Sequence, residues 1–256
     1  MAVSTPEVFV HADGDLLAKA AAARIVTRTA DAIAAGGHAH LVLTGGGIGT
    51  KVLAALAAEP AVAAIDWSKV DFWWGDERFA PAGDPDRNET GARAALLDHI
   101  AVDPARVHPM AGPDGPDGDD PDASAARYAA ELAAAAGPRT AAYPVFDVVM
   151  LGIGPEGHVA SLFPELPAVY DDRPVVAVRN SPKPPPTRIS LTFGPIRAAR
   201  EVWILASGAE KAEAVARALA DEPEDKLPAA GARGTARTLF LLDAAAAADI
   251  AVLPGR

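Results

Sequence analysis

The sequence predicts an α/β protein, a mainly parallel sheet with helices on both faces in a Rossmann-like arrangement, on three observations. Short apolar runs alternate with segments of helical periodicity, the pattern left when parallel strands are joined through crossover helices. Two of the runs, Val70–Trp74 and Val148–Leu151, are almost continuously apolar, as strands buried on both faces must be. Glycines cluster where a run gives way to a helix, the place where the chain has to reverse tightly.

The elements follow in order. Asp15–Ala35 carries apolar residues at helical spacing (Leu16, Leu17, Ala20, Ile25, Val26, Ile33) and stops at Gly36–Gly37. Leu41–Leu43 is a strand, Thr44-Gly45-Gly46-Gly47 a turn, and Val52, Leu53 and Leu56 mark the next helix. Val70–Trp74 is a strand, Glu89–Ile100 a helix, and Phe146–Leu151 and Val202–Ala206 are strands. Glu210–Ala220 is a helix, and Leu239–Leu242 is a last strand followed by an alanine-rich helix. Ala111–Asp122, rich in Gly, Pro and Asp, reads as a solvated loop, and Asn180–Thr187 carries four prolines.

Composition bounds the chemistry. A chain of 256 residues, 50% of them hydrophobic, is expected to form one domain over 1–256. It contains no cysteine, which excludes disulfides, a thiolate nucleophile and cysteine-ligated metals. A net charge of -11 disfavours nucleic acid as a partner, yet a few cations converging locally still suffice for a small anionic substrate. The N-terminus lacks the flanks of a secretory signal and no stretch of about eighteen apolar residues occurs, so no membrane partner and a cytoplasmic location are expected. The length and composition fit a monomer or a small homo-oligomer equally.

In such sheets ligands bind beyond the carboxyl ends of the strands, and four segments there carry chemistry. The first is Thr44-Gly45-Gly46-Gly47, where backbone N–H groups at a helix start either receive a phosphate or simply pack helix on strand. It is neither a Walker loop nor a dinucleotide fingerprint. In the second, an apolar strand runs into Asp76-Glu77-Arg78, the floor of a polar site or a solvated loop; Asn88 beyond it suits a helix N-cap or a ligand. The third is Gly152-Ile153-Gly154-Pro155-Glu156-Gly157-His158, which presents a histidine on a glycine loop, the side chain matched to proton transfer near neutrality. His11, His38, His40, His99 and His108 fall at termini, loops or helix ends and are expected to be exposed. Ser161 lacks a nucleophile elbow, and no second histidine stands at metal-ligand spacing from His158, so no metal is expected. The fourth segment, Ser181-Pro182-Lys183-Pro184-Pro185-Pro186-Thr187-Arg188, holds two cations on a proline-stiffened loop, with Lys211 downstream at a helix start.

In this order the four segments resemble the 6-phosphogluconolactonase family over most of the chain, through the Gly-Gly turn, Asp-Glu-Arg, Gly-His-x-Ala-Ser-Leu-Phe-Pro and Ser-Pro-Lys-Pro-Pro-x-x-Arg. The resemblance implies the phosphosugar isomerase/deaminase-like version of the fold, hydrolysis of a phosphorylated lactone as the activity, a sugar phosphate as substrate and no cofactor. It implies His158 as general base, with the acidic Asp76 near it to orient the ring or stabilise its cation. It also implies a substrate site drawn from Thr44, Gly45, Gly46, Gly47, Glu77, Arg78, Asn88, Gly157, Lys183, Arg188 and Lys211, and amides of Gly152–Gly157 as donors to an oxyanion. The related amino-sugar-phosphate deaminases typically continue with Asn-Glu-Pro after the histidine; here Ser161-Leu162-Phe163-Pro164 stands instead. A phosphosugar deaminase or isomerase is therefore the alternative, and a non-catalytic sugar-phosphate sensor would need an output module for which no segment is spare.

Overall fold

The computed structural model describes residues 3–136 and 142–250. Its strands and helices run in the order β1 (Pro6–His11), α1 (Gly14–Gly36), β2 (Ala39–Leu43), α2 (Gly46–Ala58), β3 (Val70–Trp74), β4 (Asp76–Arg78), α3 (Asn88–Ala95), α4 (Pro121–Ala135), β5 (Val148–Gly152), β6 (Val175–Val178), β7 (Arg188–Leu191), α5 (Phe193–Ala198), β8 (Glu201–Ala206), α6 (Ala212–Leu219), α7 (Pro228–Gly231) and β9 (Arg237–Asp243). Six strands form one sheet in the order β1-β9-β8-β5-β2-β3, every neighbouring pair parallel. Alternate residues of its strands enter two separate cores. Leu41, Leu43, Phe72, Trp74, Met150 and Trp203 pack with α1 and α2 on one face, while Val42, Trp73, Val149, Leu151 and Ile204 fill the other.

The opening helix ends where its sequence says it should. Asp13 accepts from the Leu16 N–H at 2.8 Å, and Gly37, at φ 81, turns the chain left-handed while its N–H reaches the Ile33 carbonyl. Two other expectations change. The helix expected over Glu89–Ile100 breaks after Ala95 and continues as a short 3-10 turn, Leu97–His99. The alanine run after β9 makes hydrogen-bonded turns instead of a helix, because Asp243 takes the Ala246 N–H at 2.8 Å and a segment this short gains too little from propagation to repay nucleation.

A second sheet was not expected. β4, β7 and β6 form a three-stranded antiparallel sheet on the side of the Val42 core, with Asp76 opposite Ser190 and Arg78 opposite Arg188. It is tied to the main sheet at Gly75, whose N–H donates to the Leu43 carbonyl at 3.2 Å and whose carbonyl accepts from the Leu191 N–H at 2.8 Å. Among the described residues no helix is long and apolar enough to cross a membrane.

Candidate active site

From β2 the chain crosses to β3 on one side, whereas β5, β8 and β9 lie on the other, so the strand order reverses between β2 and β5. A crevice opens at such a switch point. There, Thr44 after β2 accepts from the Gly152 N–H at the end of β5, Oγ1 to N 3.3 Å. The cavity above it is about 520 Å³ and is lined by Thr44, Gly45, Gly46, Gly47, Asp76, Arg78, Asn88, His158, Lys183, Arg188 and Lys211. Of the residues expected at the site, only Glu77 and Gly157 are missing from its wall.

The glycine turn is shaped by close approach. A Cβ on Gly45 would overlap the amide group of Asn88, and Gly46 sits at φ +76. α2 starts with no side-chain cap, which leaves the first-turn amides at Gly46, Gly47 and Ile48 turned to the cavity wall.

β4 and the strand opposite it supply the charged wall. Arg78 and Arg188 are cross-strand partners, and like charges so placed repel unless an anion separates them. Arg78 also donates to the Asp86 carbonyl. Asp76 is buried, yet among the described residues its carboxylate pairs with no imidazole. It accepts from Ser161 Oγ at 2.7 Å and Asn88 Nδ2 at 3.2 Å, and stands 3.7 Å from Arg188. Asp76 as the group orienting His158 is therefore corrected: its oxygens are aligned by Ser161 and Asn88. Glu77, 1% exposed, points away from the cavity and caps α3, its carboxylate accepting from the N–H groups of Asn88 (2.7 Å) and Glu89 (2.8 Å). Glu77 is thus placed for structure, not for substrate, and burial raises its pKa even though Arg87 and these amides pull it down. Asn88 is not the N-cap; Arg87 holds that position and Asn88 Nδ2 braces the Asp76 carbonyl at 2.8 Å.

His158 lies on the loop after β5, its ring against Phe163 with centroids 4.5 Å apart. Its partner is Glu156, Nδ1 to Oε1 2.9 Å, and the other Glu156 oxygen receives Lys183 Nζ at 3.1 Å. Burial alone would raise the Glu156 pKa, but the hydrogen bond from His158, its own backbone N–H and Lys183 outweigh that and lower it to about 2. A carboxylate depressed in this way contributes stability above its ordinary range near 4.5, and that contribution is lost as pH falls toward 2. Between those pH values the wild-type melting temperature is expected to fall more steeply than that of Glu156→Gln, read by thermal denaturation across pH.

The ring packs this closely because residue 154 is glycine: a Cβ there would overlap the imidazole. Gly154→Ala is expected to displace His158 and cost at least tenfold in turnover with little change in fold, checked by kinetics together with circular dichroism. Gly157, at φ +91, faces Leu227 and shapes the loop from behind. Three of the amides expected to hold an oxyanion are already engaged. Gly152 N–H goes to Thr44, Gly154 N–H to the His158 carbonyl, and Gly157 N–H to the Gly154 carbonyl.

Arg188 is 4% exposed; it donates through Nε to the Pro185 carbonyl and through Nη2 to those of Lys183 and Pro184, so one guanidinium holds the proline loop and reaches the cavity together. Lys211 belongs to a 3-10 turn just before α6, and burial lowers its pKa against the pull of Glu210. Lys51, four residues after Gly47 on α2, also lines the cavity, with Nζ 2.8 Å from Asp15; the i, i+4 spacing is the one sequence signal that marks it. Five cations thus face two carboxylates, Asp76 and Glu210, in a chain of net charge -11.

The remaining histidines divide. His38 and His99 are exposed, as expected, but His40 is 7% exposed and accepts from Trp73 Nε1 at 3.2 Å. His108 stacks on Trp73 at 3.8 Å and reaches Asp71 at 3.0 Å; His11 is half-buried at the end of β1. Position near a loop says nothing about such neighbours from distant strands. Among the described residues no group of three or more His, Asp or Glu side chains is arranged to hold a metal ion.

Comparison with known proteins agrees with this architecture. The family description "Glucosamine-6-phosphate isomerases/6-phosphogluconolactonase" matches residues 12–241. A 6-phosphogluconolactonase of Streptomyces coelicolor is 60% identical over 96% of this chain and 95% of its own length. Its counterpart in Mycobacterium tuberculosis is 50% identical over 96% and 98%. The solved structure of 6-phosphogluconolactonase from Trypanosoma brucei superimposes with a TM-score of 0.81 at 30% identity, over 98% of this chain and all of that one. A monomeric glucosamine-6-phosphate deaminase, 22% identical with a TM-score of 0.74, shares the fold. With one cavity at the switch point, its imidazole and its cations in place, and relatives matched along nearly their whole length, the chain belongs to the glucosamine-6-phosphate isomerase/6-phosphogluconolactonase family.

Proposed function

We propose that the chain hydrolyses 6-phospho-D-glucono-1,5-lactone to 6-phospho-D-gluconate, the lactone-opening step of the oxidative pentose phosphate pathway, with no metal or cofactor. The observation that carries this reading is that one imidazole, backed by a carboxylate, shares a single cavity with five cations. The Streptomyces and Mycobacterium relatives named for this activity point the same way.

Because the partner of His158 Nδ1 is a carboxylate, Nδ1 carries the proton and Nε2 is left as the base. Nε2 takes a proton from water as the water adds to the lactone carbonyl carbon, and Glu156 stabilises the imidazolium that forms. The tetrahedral intermediate then collapses, the bond from the carbonyl carbon to the ring oxygen breaks, and Nε2–H returns the proton to that oxygen. Lys183, joined to Glu156 at 3.1 Å, meets the charge growing on the carbonyl oxygen. Arg78, Arg188, Lys211 and the amides at Gly46 and Gly47 hold the phosphate. Asp76, aligned by Ser161 and Asn88, accepts from a sugar hydroxyl.

Freshly prepared lactone is expected to release acid rapidly, at the same rate with and without chelator. Loss of activity with chelator removes the metal-free mechanism, and ammonia release from glucosamine 6-phosphate in place of lactone hydrolysis turns the reading to the deaminase.

A further inference from the structure

Of the five cations on the cavity wall, Lys51 alone has no part in the reaction above. Its side chain lines the cavity, yet its ammonium is tied to a residue outside it, Nζ 2.8 Å from Asp15 Oδ1. Both side chains are open to solvent, Lys51 59% and Asp15 76% exposed. An exposed pair of this kind holds weakly, because water screens the attraction and two flexible side chains must be ordered to make it. Asp15 stands in the first turn of α1, where the helix dipole favours a carboxylate whether or not a lysine is present. The lysine is therefore free to change partner.

Helix geometry sets where it can go. Side chains on an α-helix lean toward its amino end, and a residue covers the turn before its own. For Lys51 that turn holds Gly47, four residues back in the first turn of α2. A Cβ built on Gly46 or on Gly47 would meet no atom within 4 Å, so the space over both glycines is open. No side chain there blocks a lysine that rotates toward the first-turn amides, and such a rotation takes only picoseconds to nanoseconds on an exposed residue.

We propose, on the reading that the amides at Gly46 and Gly47 hold the phosphate, that Lys51 is a mobile clamp which exchanges Asp15 for the substrate phosphate by swinging over Gly47. Asp15 and the phosphate dianion compete for one ammonium, so Asp15 sets the affinity without touching the ligand. The clamp grips the phosphate and not the reacting ester, which makes Lys51 a residue that selects phosphorylated sugar acids.

The test is calorimetric titration of the full chain with 6-phosphogluconate, using wild type, Lys51→Met, Asp15→Asn and the double variant. Both positions are exposed on helix surfaces, so each variant keeps the wild-type fold, checked by circular dichroism. Lys51→Met is expected to weaken binding about tenfold, the loss of one charge-assisted contact. Asp15→Asn is expected to tighten it about threefold, the release of a surface pair, and to change nothing in the Lys51→Met background. In steady-state kinetics with fresh lactone the loss in Lys51→Met falls on KM and not on kcat. Equal affinity of Lys51→Met and wild type overturns the clamp. So does an Asp15→Asn gain that persists without Lys51, since that is only the long-range effect of a lost negative charge. Wild-type lactone turnover without these shifts removes the clamp and leaves the reaction; the shifts without lactone turnover remove the reaction and leave the clamp.

Discussion

His158→Ala is expected to lower kcat for lactone hydrolysis by roughly a hundredfold to ten-thousandfold, the usual contribution of a general base, while affinity for 6-phosphogluconate stays close to wild type. The two quantities separate because the imidazole and the phosphate-binding cations sit on different elements. His158 is carried by the loop after β5, Arg78 and Arg188 by the small antiparallel sheet, and Lys211 by the turn before α6. Nothing that holds the arginines depends on the imidazole, whose polar contact is with Glu156. Steady-state kinetics with fresh lactone and calorimetry with the product measure the pair. Wild-type turnover in the folded variant removes the proposed base; an affinity that falls in step with turnover assigns His158 to binding instead.

What could be read from the sequence follows from which forces are local. The end of α1 was legible because Gly37 acts within a turn of the helix it closes. The parallel sheet was legible from apolar runs, and its ligand end from the residues that follow them. β4 was not, since Asp76-Glu77-Arg78 has no apolar alternation and is a strand only because β7, more than 100 residues later, pairs with it. The same limit applies inside the cavity. The Gly-x-Gly loop announced a histidine with room around it, but the acidic partner came from Glu156, whose side chain reaches the ring only in the bend that Gly154 permits. Asp76 was placed beside the histidine through the family resemblance alone; its neighbours Ser161 and Asn88 lie 85 and 12 residues away. Charge in sequence marks a wall of the site, and only the fold tells which oxygen faces which donor.

Arg188→Met is the second large effect to expect, and it appears in both binding and stability. The guanidinium donates to three consecutive carbonyls, those of Lys183, Pro184 and Pro185, while Nη1 lies 3.7 Å from Asp76. Burial presses its pKa down, with Asp76 opposing, so the charge is kept at a cost. Removing one member of such a buried pair costs about 3–5 kcal/mol, which for a chain of this length lowers the melting temperature by on the order of 10 °C. Affinity for 6-phosphogluconate is expected to fall about a hundredfold, because a charge-assisted phosphate contact disappears and Lys183 loses the carbonyl anchor that fixes its loop. Arg188→Lys separates the two causes. It keeps the cation but cannot span three carbonyls, so it recovers part of the affinity and little of the stability. Differential scanning calorimetry and product titration on both variants decide: a lysine that restores the melting temperature in full shows that charge, not the fork of hydrogen bonds, holds the proline loop.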